Sequence, residues 1–475
     1  MSPLPAHWRR RLQQPDRPAY LLLAELIAED VRSGRLVARD RLPTLRELAQ
    51  ATGLNYTTVA RGYAEAQRRG LIDAQSGRGS YVRGSAPALP LRGGAAMTMN
   101  LPPEPDDPAL LARIREGAQA VFGEADLHAL LRYQAFGGSA EDRAAGADWL
   151  AAQVPGVTAE RTLVAPGIHS VLVALISQFA RPGQLICVEC LGYPGLKAIA
   201  AQLGVQLHAL PCDEEGPSAL AFEHACKHLQ PRALYLNPTL QNPSTLTISR
   251  ARRELLADLA LHHSVPIIED EAYAMLPARL DAPALSTLAP GLGWYVSGLS
   301  KCFGAGLRTA YVAAPSAREA ERLAGTLRGL SVMASPLSNA LATRWLRDGT
   351  AARMLDAVRQ IGRERQALAR ELLGAVMPAR TQGAPGGPPG LIAPEDGFHA
   401  WLRLGPPWQP VELAAWLRDQ GVGAVASVAF STDGDPPDAL RLCLGGPQSH
   451  ADCRAMLGRL AEALDHPRAA QGAAM

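Results

Sequence analysis

The chain has 475 residues, 47% of them apolar and 5% aromatic, which is more than one ordinary domain and excludes wholesale disorder. Its 47 basic and 45 acidic residues nearly cancel, so the chain as a whole is neither strongly basic nor strongly acidic. The longest strongly apolar stretch, around Val171 to Ile176, is too short to cross a bilayer, and MSPLPAHWRRRLQQPDR lacks the apolar core of a secretory signal; both point to the cytoplasm and away from the membrane. The charge is unevenly spread. Residues 1–84 hold 14 arginines, no lysine and 8 carboxylates, a net +6 that leaves −4 for the rest, so a polyanion partner is expected for the first part alone.

In chain order, residues 18–34 (PAYLLLAELIAEDVRSG) carry apolar residues at helical spacing and predict a helix ending at Gly34. Pro43 and Thr44 open a second helix that Gly53 closes. Asn55 caps a third, NYTTVARGYAEAQRRG, that stops at Gly70. LIDAQSGRGSYV then predicts two short strands around a glycine-rich tip. Three helices and a hairpin in this order predict a winged helix-turn-helix over residues 1–84. Residues 85–98, rich in Ala, Pro and Gly, read as a linker. From residue 99 helical patterns alternate with the apolar runs RTLVAP, LICVEC, ALYLNP, VPIIED, WYVSG and AYVAAP, which predicts a largely parallel, helix-covered sheet. The domain extends to residue 466, with a small α/β subdomain mainly over 350–466, and residues 467–475 read as a flexible tail. Cys187 and Cys190 form a C-x-x-C without a second pair at zinc spacing. They fall in a buried strand where three-residue spacing puts the thiols on opposite faces, so no metal site is expected.

The third helix offers Asn55, Tyr56, Thr57, Thr58 and Arg61 near its start, where small polar side chains reach base edges and phosphates. Arg41 and Arg46 lie at the second helix as candidates for backbone phosphates, and Thr44 at its start joins the DNA-contact candidates. Gly77, Arg78 and Gly79 form the wing tip, where glycine allows close approach to the groove. The elements LP-x-x-REL-A, TTV and G-x-G-x-Y-V resemble the GntR family of bacterial repressors over residues 18–83, which implies a double-stranded DNA operator as partner. Leu45 stands where relatives often carry Ser, and Tyr56 where they often carry Arg. The alternative use of such a module is contact with protein.

Lysine is scarce: Lys197, Lys227 and Lys301 stand against 44 arginines. In YVSGLSKCFGAGLRTAYV an apolar strand delivers Lys301 into a glycine-rich turn, and Arg308 follows seven residues later. An amine for a Schiff base and a fixed cation for a phosphate dianion are what pyridoxal 5'-phosphate (PLP) requires. IIEDEAY sets Asp270 at a strand end, where a carboxylate keeps a pyridine nitrogen protonated, with Tyr273 three residues on for the ring's phenolic oxygen. NPTLQNPST supplies Asn242 for the same oxygen. APGIHSVL is a strand-to-helix turn whose Gly167, Ile168 and His169 N–H groups suit a phosphate. ECLGYPG supplies Tyr193 to stack on the ring, and ALRLCLGG carries Arg441 as a fork for an effector carboxylate.

In this order the segments resemble fold-type I aminotransferases of class I/II over residues 99–465. YQAFGGSAEDR adds Tyr133, Gly138 and Arg143 at the family's spacing, and the resemblance implies that Tyr133 reaches the partner subunit's cofactor phosphate. Gly298 stands three residues before the lysine where many relatives have Ser, the phosphate turn carries Ile168-His169, and QNPST lacks a terminal Gly. The combination of head and body resembles the MocR subfamily of GntR regulators. It implies a homodimer, with a domain-swapped arrangement left open, and a switch in which a small amino compound, or PLP itself, is sensed at Lys301 and changes DNA binding. The rival reading is a genuine aminotransferase with an accessory DNA-binding head.

Overall fold

The computed structural model describes residues 8, 11–12, 18–32, 36, 42–69, 71–75, 79–82, 97–124 and 126–466. Gly34, Arg41, Gly70, Gly77, Arg78, residues 85–96 of the linker stretch and the 467–475 tail lie outside them. The chain divides into two compact units, Met1–Arg92 and Gly93–Met475.

In the first unit, α1 (Ala19–Arg32), α2 (Leu45–Thr52) and α3 (Tyr56–Arg68) precede an antiparallel pair, β1 (Ile72–Gln75) and β2 (Gly79–Val82). The helix limits follow from local chemistry. Thr44 and Glu47 cap the start of α2 reciprocally, Gly53 ends it at φ +74°, and the Asn55 carboxamide accepts the Thr57 N–H to start α3. Leu22, Leu23, Leu26, Ile27, Leu48, Val59, Tyr63, Ile72 and Val82 fill the core between them.

The second unit is built on a seven-stranded sheet in the order β3 (Thr162–Ala165), β9 (Ala310–Ala313), β8 (Gly293–Gly298), β7 (Ile267–Asp270), β6 (Leu234–Leu236), β4 (Leu185–Glu189), β5 (Gln206–Leu210). All neighbours run parallel except β9, which is antiparallel to both β8 and β3. Strands β3, β6, β7, β8 and β9 are buried throughout, as expected of a sheet covered on both faces, which is why they are legible as apolar runs. The edge strand β5, QLHAL, went unrecognised because it is half-exposed and carries polar Gln206 and His208. Two helices flank the site: α4 (Ile168–Phe179) follows β3, and α5 (Pro194–Leu203) follows β4.

A second sheet runs β10 (Ala379–Arg380), β11 (Gly390–Ile392), β12 (His399–Arg403), β14 (Ala439–Cys443), β13 (Val425–Ala426), packed with the long α6 (Thr350–Gly374) and with α7 (His450–Asp465). The end of the stretch read as linker is already packed here. Met97 is fully buried, and its carbonyl accepts the Cys443 N–H at 3.0 Å.

Candidate cofactor site and DNA-binding face

The C-terminal ends of β6, β7 and β8 lie side by side, with that of β3 beyond the intervening antiparallel β9, the edge at which open parallel sheets collect ligands. The register aligns Val296 with Asp270, and Lys301 follows three residues after the end of β8. Burial is the first cause of the Lys301 pKa falling to about 8, which makes the neutral, nucleophilic amine accessible near neutrality. Its Nζ donates to the Asn100 carbonyl and sits 5.6 Å from the centre of the Tyr273 ring.

Asp270, the last residue of β7, is 5% exposed. It accepts the Tyr235 hydroxyl at 2.8 Å and the Ala272 N–H at 3.3 Å, and burial raises it to about 6. A buried carboxyl with two donors and a raised pKa gains from a cationic N–H partner, which suits a pyridinium nitrogen. Tyr273 is buried, and its hydroxyl accepts from Asn100 Nδ2 at 2.8 Å. Asn242 Oδ1 accepts Arg441 Nη1 at 2.9 Å. Arg441 also donates through Nη2 to the Thr98 carbonyl and lies 5.0 Å from the centre of the Phe430 ring, while its buried Nε has no partner.

Gly167 has φ +90° and caps the start of α4. A Cβ there would stand 2.8 Å from Arg308 Nη2, so glycine keeps open the gap between the helix N-terminus and that guanidinium. Helix N–H groups on one side and an arginine on the other make an anion cradle that fits a phosphate. His169 is held below the ordinary histidine range, by burial first and then by Arg308; its ring meets Tyr193 edge-on at 6.4 Å. Tyr193 is half-buried at the start of α5.

These residues therefore converge, whereas Tyr133 stands 79% exposed outside the cluster. Gly138, at φ +92°, is packed against Val164 with the Arg143 side chain beside it. Sequence reasoning missed three participants. Tyr235 was hidden in the apolar run ALYLNP. Asn237 donates to the Asp270 carbonyl at 2.6 Å, accepts the Asn242 N–H at 2.9 Å and donates its own N–H to Glu189 at 2.8 Å. Asn100 lies just past the linker stretch with no strand beside it in sequence, whereas Asn237 directly follows the apolar run of β6, which was its one local signal.

In the first unit Arg46, Asn55, Thr57 and Arg61 are exposed, Thr58 is half-buried and Tyr56 is 49% exposed, all on the α2–α3 side of the helix-turn-helix. The Arg61 guanidinium rests 4.4 Å from the centre of the Tyr20 ring. Thr44 and Asn55 spend an oxygen each on helix caps, and Gly79 opens β2.

A sheet whose strand ends gather a half-buried lysine, a buried aspartate and an anion cradle is the fold-type I architecture of PLP-dependent transferases; the first unit is a winged helix. A family model described as aminotransferase class I and II matches residues 98–460, and one described as bacterial regulatory proteins, gntR family, matches residues 19–82. The chain belongs to the class I and II aminotransferase family and carries a GntR-type DNA-binding domain ahead of it, the combination found in MocR-type regulators. PLP is the cofactor that this family and fold imply, and the residues present fit it.

YdeF of Bacillus subtilis, described as an uncharacterized HTH-type transcriptional regulator, is 26% identical over 457 residues, covering 94% of each chain. The vitamin B6 salvage pathway transcriptional repressor PtsJ of Salmonella typhimurium is 28% identical and covers 80% of this chain and 84% of its own. The solved structure of LysN, an alpha-aminoadipate aminotransferase of Thermus thermophilus, has a TM-score of 0.69 at 24% identity, covers 86% of this chain and 99% of its own, and speaks for the fold alone. Among the described residues no helix is long and apolar enough to cross a membrane.

Proposed function

We propose that this protein is a transcription regulator whose DNA binding is governed by a small amine-bearing carboxylate sensed at a PLP site. The observation that carries the reading is the coexistence, in one chain, of an amine-and-carboxylate pocket with a DNA-binding head; similarity over 94% of the chain to an uncharacterized HTH-type transcriptional regulator supports it. When bound, PLP supplies an aldehyde that captures primary amines and a ring that withdraws electrons. Lys301 would hold the aldehyde carbon, and Asp270 would keep the ring nitrogen protonated. The amide nitrogen of Asn242 and the Tyr273 hydroxyl would bind the phenolic oxygen, and Tyr193 would cover the ring face. Arg308 and the N–H groups of Gly167, Ile168 and His169 would hold the phosphate, and Arg441 the effector's carboxylate.

On the DNA side, Arg46 would meet backbone phosphate, while Tyr56, Thr57 and Thr58 at the start of α3 would meet bases. A homodimer is the proposed assembly, with the exposed Tyr133 reaching the phosphate site of the second copy. Exposed Leu127, Leu131, Leu330 and Val332 supply apolar surface for such an interface.

The test is a titration of primary amines against the PLP-loaded full chain. It is read by the cofactor's visible band and by affinity for a DNA fragment selected from a random pool. At least one amino acid is expected to shift both. If no amine shifts either signal while PLP itself changes DNA affinity, the protein senses the cofactor, a reading favoured by its similarity to a vitamin B6 repressor. Sustained turnover with a keto acid acceptor would instead make it an aminotransferase with an accessory head.

A further inference from the structure

Residues 97–101 join the stretch that leads from the DNA-binding unit to the aminotransferase domain, and their backbone is held by the side chains of the site itself. The Thr98 carbonyl accepts Arg441 Nη2, and the Asn100 carbonyl accepts Lys301 Nζ. The Asn100 side chain donates to Tyr273. Farther from the pocket, the Cys443 N–H donates to the Met97 carbonyl at 3.0 Å, and the Cys443 thiol donates to the Leu101 carbonyl at 3.6 Å. Met97 and Asn100 point inward, 0% and 6% exposed, while Met99 and Leu101 face outward at 45% and 40%. This short segment therefore spends two of its carbonyls on Lys301 and Arg441, the two groups that an amine-bearing carboxylate would also need.

We infer that residues 97–101 are the element through which site occupancy is passed to the linker: a carboxylate bound at Arg441 takes the place of the Thr98 carbonyl and shifts this segment. The inference rests on the proposed role of Arg441 as the carboxylate fork. Arg441 Nη1 is committed to Asn242, so the edge left for a bidentate carboxylate is Nη2 with the unpartnered Nε. A fork on that edge brings a charged oxygen beside the Thr98 carbonyl oxygen on the same nitrogen. Both bonds draw on the guanidinium charge, but the carboxylate adds a full opposite charge and a second, parallel hydrogen bond through Nε, so it wins the nitrogen.

The Lys301 anchor answers to the amine side of the chemistry. Condensation of an amine with an aldehyde forms a C=N bond and releases the carbonyl oxygen as water. The three N–H donors of the ammonium become at most one, and the Asn100 carbonyl loses its partner. Once an effector's amine has displaced Lys301, the freed lysine can return to Asn100, so the carboxylate-dependent loss of the Thr98 anchor is what distinguishes the effector-bound segment.

Gly445 offers an independent handle. A Cβ there would stand 1.9 Å from the Leu101 carbonyl oxygen, so Gly445→Ala pushes the segment from behind without touching the pocket.

The full-length protein is loaded with one of two reduced adducts, N-(5'-phosphopyridoxyl)-L-alanine or N-(5'-phosphopyridoxyl)-ethylamine, which differ by the carboxylate and leave Lys301 free in both. Amide hydrogen exchange over residues 97–101 and DNA affinity are then measured. The alanine adduct is expected to speed exchange there about tenfold over the ethylamine adduct, and to be the one that changes DNA affinity. Equal exchange with both adducts, while DNA affinity still distinguishes them, overturns the transmission role and leaves the sensing function standing. If neither adduct changes DNA affinity, the sensing function itself falls, and this inference with it. Gly445→Ala carrying the ethylamine adduct should show the exchange and DNA affinity of the alanine-adduct state. A folded, adduct-loaded Gly445→Ala protein that keeps the ethylamine-state values overturns the inference, and if that variant does not fold, the two adducts on the unmodified protein decide alone.

Discussion

In the aminotransferase domain, Asp270, Asn242 and Arg441 are 5%, 7% and 5% exposed and each is fixed by named partners, whereas on the winged helix Tyr56 is 49% exposed and Arg46 and Thr57 face water. The difference decides what each region tells about itself. A polar group taken out of water costs free energy unless it is hydrogen-bonded, so a cluster of them is kept for a purpose. The atoms left over, such as the Arg441 Nε, outline what a ligand must bring. An exposed arginine or threonine costs nothing to keep, so its role rests on charge and placement. The cofactor site is thus specified by its interior chemistry, and the DNA face by position on a helix-turn-helix.

The comparison predicts all-or-none effects in the first region and graded ones in the second. The largest concerns Lys301. Borohydride treatment of PLP-loaded protein, followed by peptide mass analysis, should place the cofactor on the peptide containing Lys301, and Lys301→Ala should abolish that adduct entirely. Lys227, ion-paired with Glu223 at 2.6 Å, and Lys197, donating to the Ser431 carbonyl at 2.8 Å, serve as internal controls. Cofactor mass on either of these in the unmodified protein would undo the assignment.

Next in size is the ionisation of Asp270. Its pKa is raised from 3.8 to about 6, burial being the largest cause. In protein stripped of PLP, the stability this group contributes is therefore present below the unfolded value and is lost as pH rises through about 6, at a cost of up to about 3 kcal/mol. Urea unfolding at pH 4 and pH 7 should show the unmodified protein losing that much relative to Asp270→Asn. Glu271, raised to about 8, is present in both proteins and largely cancels. With PLP bound, a protonated ring nitrogen stabilises the carboxylate and the difference should shrink or reverse. Identical pH profiles for the stripped proteins would mean that Asp270 is not the buried acid described.

Much of this was legible in the sequence, for reasons that vary by element. The caps at Thr44, Gly53 and Asn55 are local chemistry, so α2 and α3 could be bounded from neighbouring residues. The buried strands β3, β6, β7, β8 and β9 read as apolar runs because both their faces are covered, and Asp270 at the end of β7 stood out against its run. Strand β5 did not, since an edge strand half in water has no such pattern. The second tier of the site was illegible for a different reason. Asn237 joins Asp270 to Asn242, and Asn100 reaches Tyr273 across 173 positions of sequence. No spacing rule connects residues that meet only when the sheet closes. Likewise the 85–98 stretch looked uniformly like linker, because what pins Met97 and Thr98 is supplied by strand β14, more than 340 residues later.

The smallest expected effect separates two exposed arginines on the winged helix. Arg46 faces solvent on α2, while the Arg61 guanidinium lies 4.4 Å from the centre of the Tyr20 ring and so already has a structural use within the domain. A phosphate contact releases about one counterion, so Arg46→Ala should weaken binding to all sequences alike and flatten the slope of log affinity against log salt by about 1. Arg61→Ala removes a cation–π contact worth about 0.5–1 kcal/mol at an exposed site, and should lower the domain's melting temperature by a few degrees at unchanged salt slope. The measurement is DNA affinity at several salt concentrations beside a thermal melt of each variant. If Arg61→Ala flattens the slope as much as Arg46→Ala, its charge reaches the DNA despite Tyr20, and the face of α3 contributes phosphate contacts as well as base contacts. If Arg46→Ala leaves affinity and slope untouched, the exposed face of α2 does not meet the backbone, and a functional reading based on position alone fails in the region where it had least support from burial.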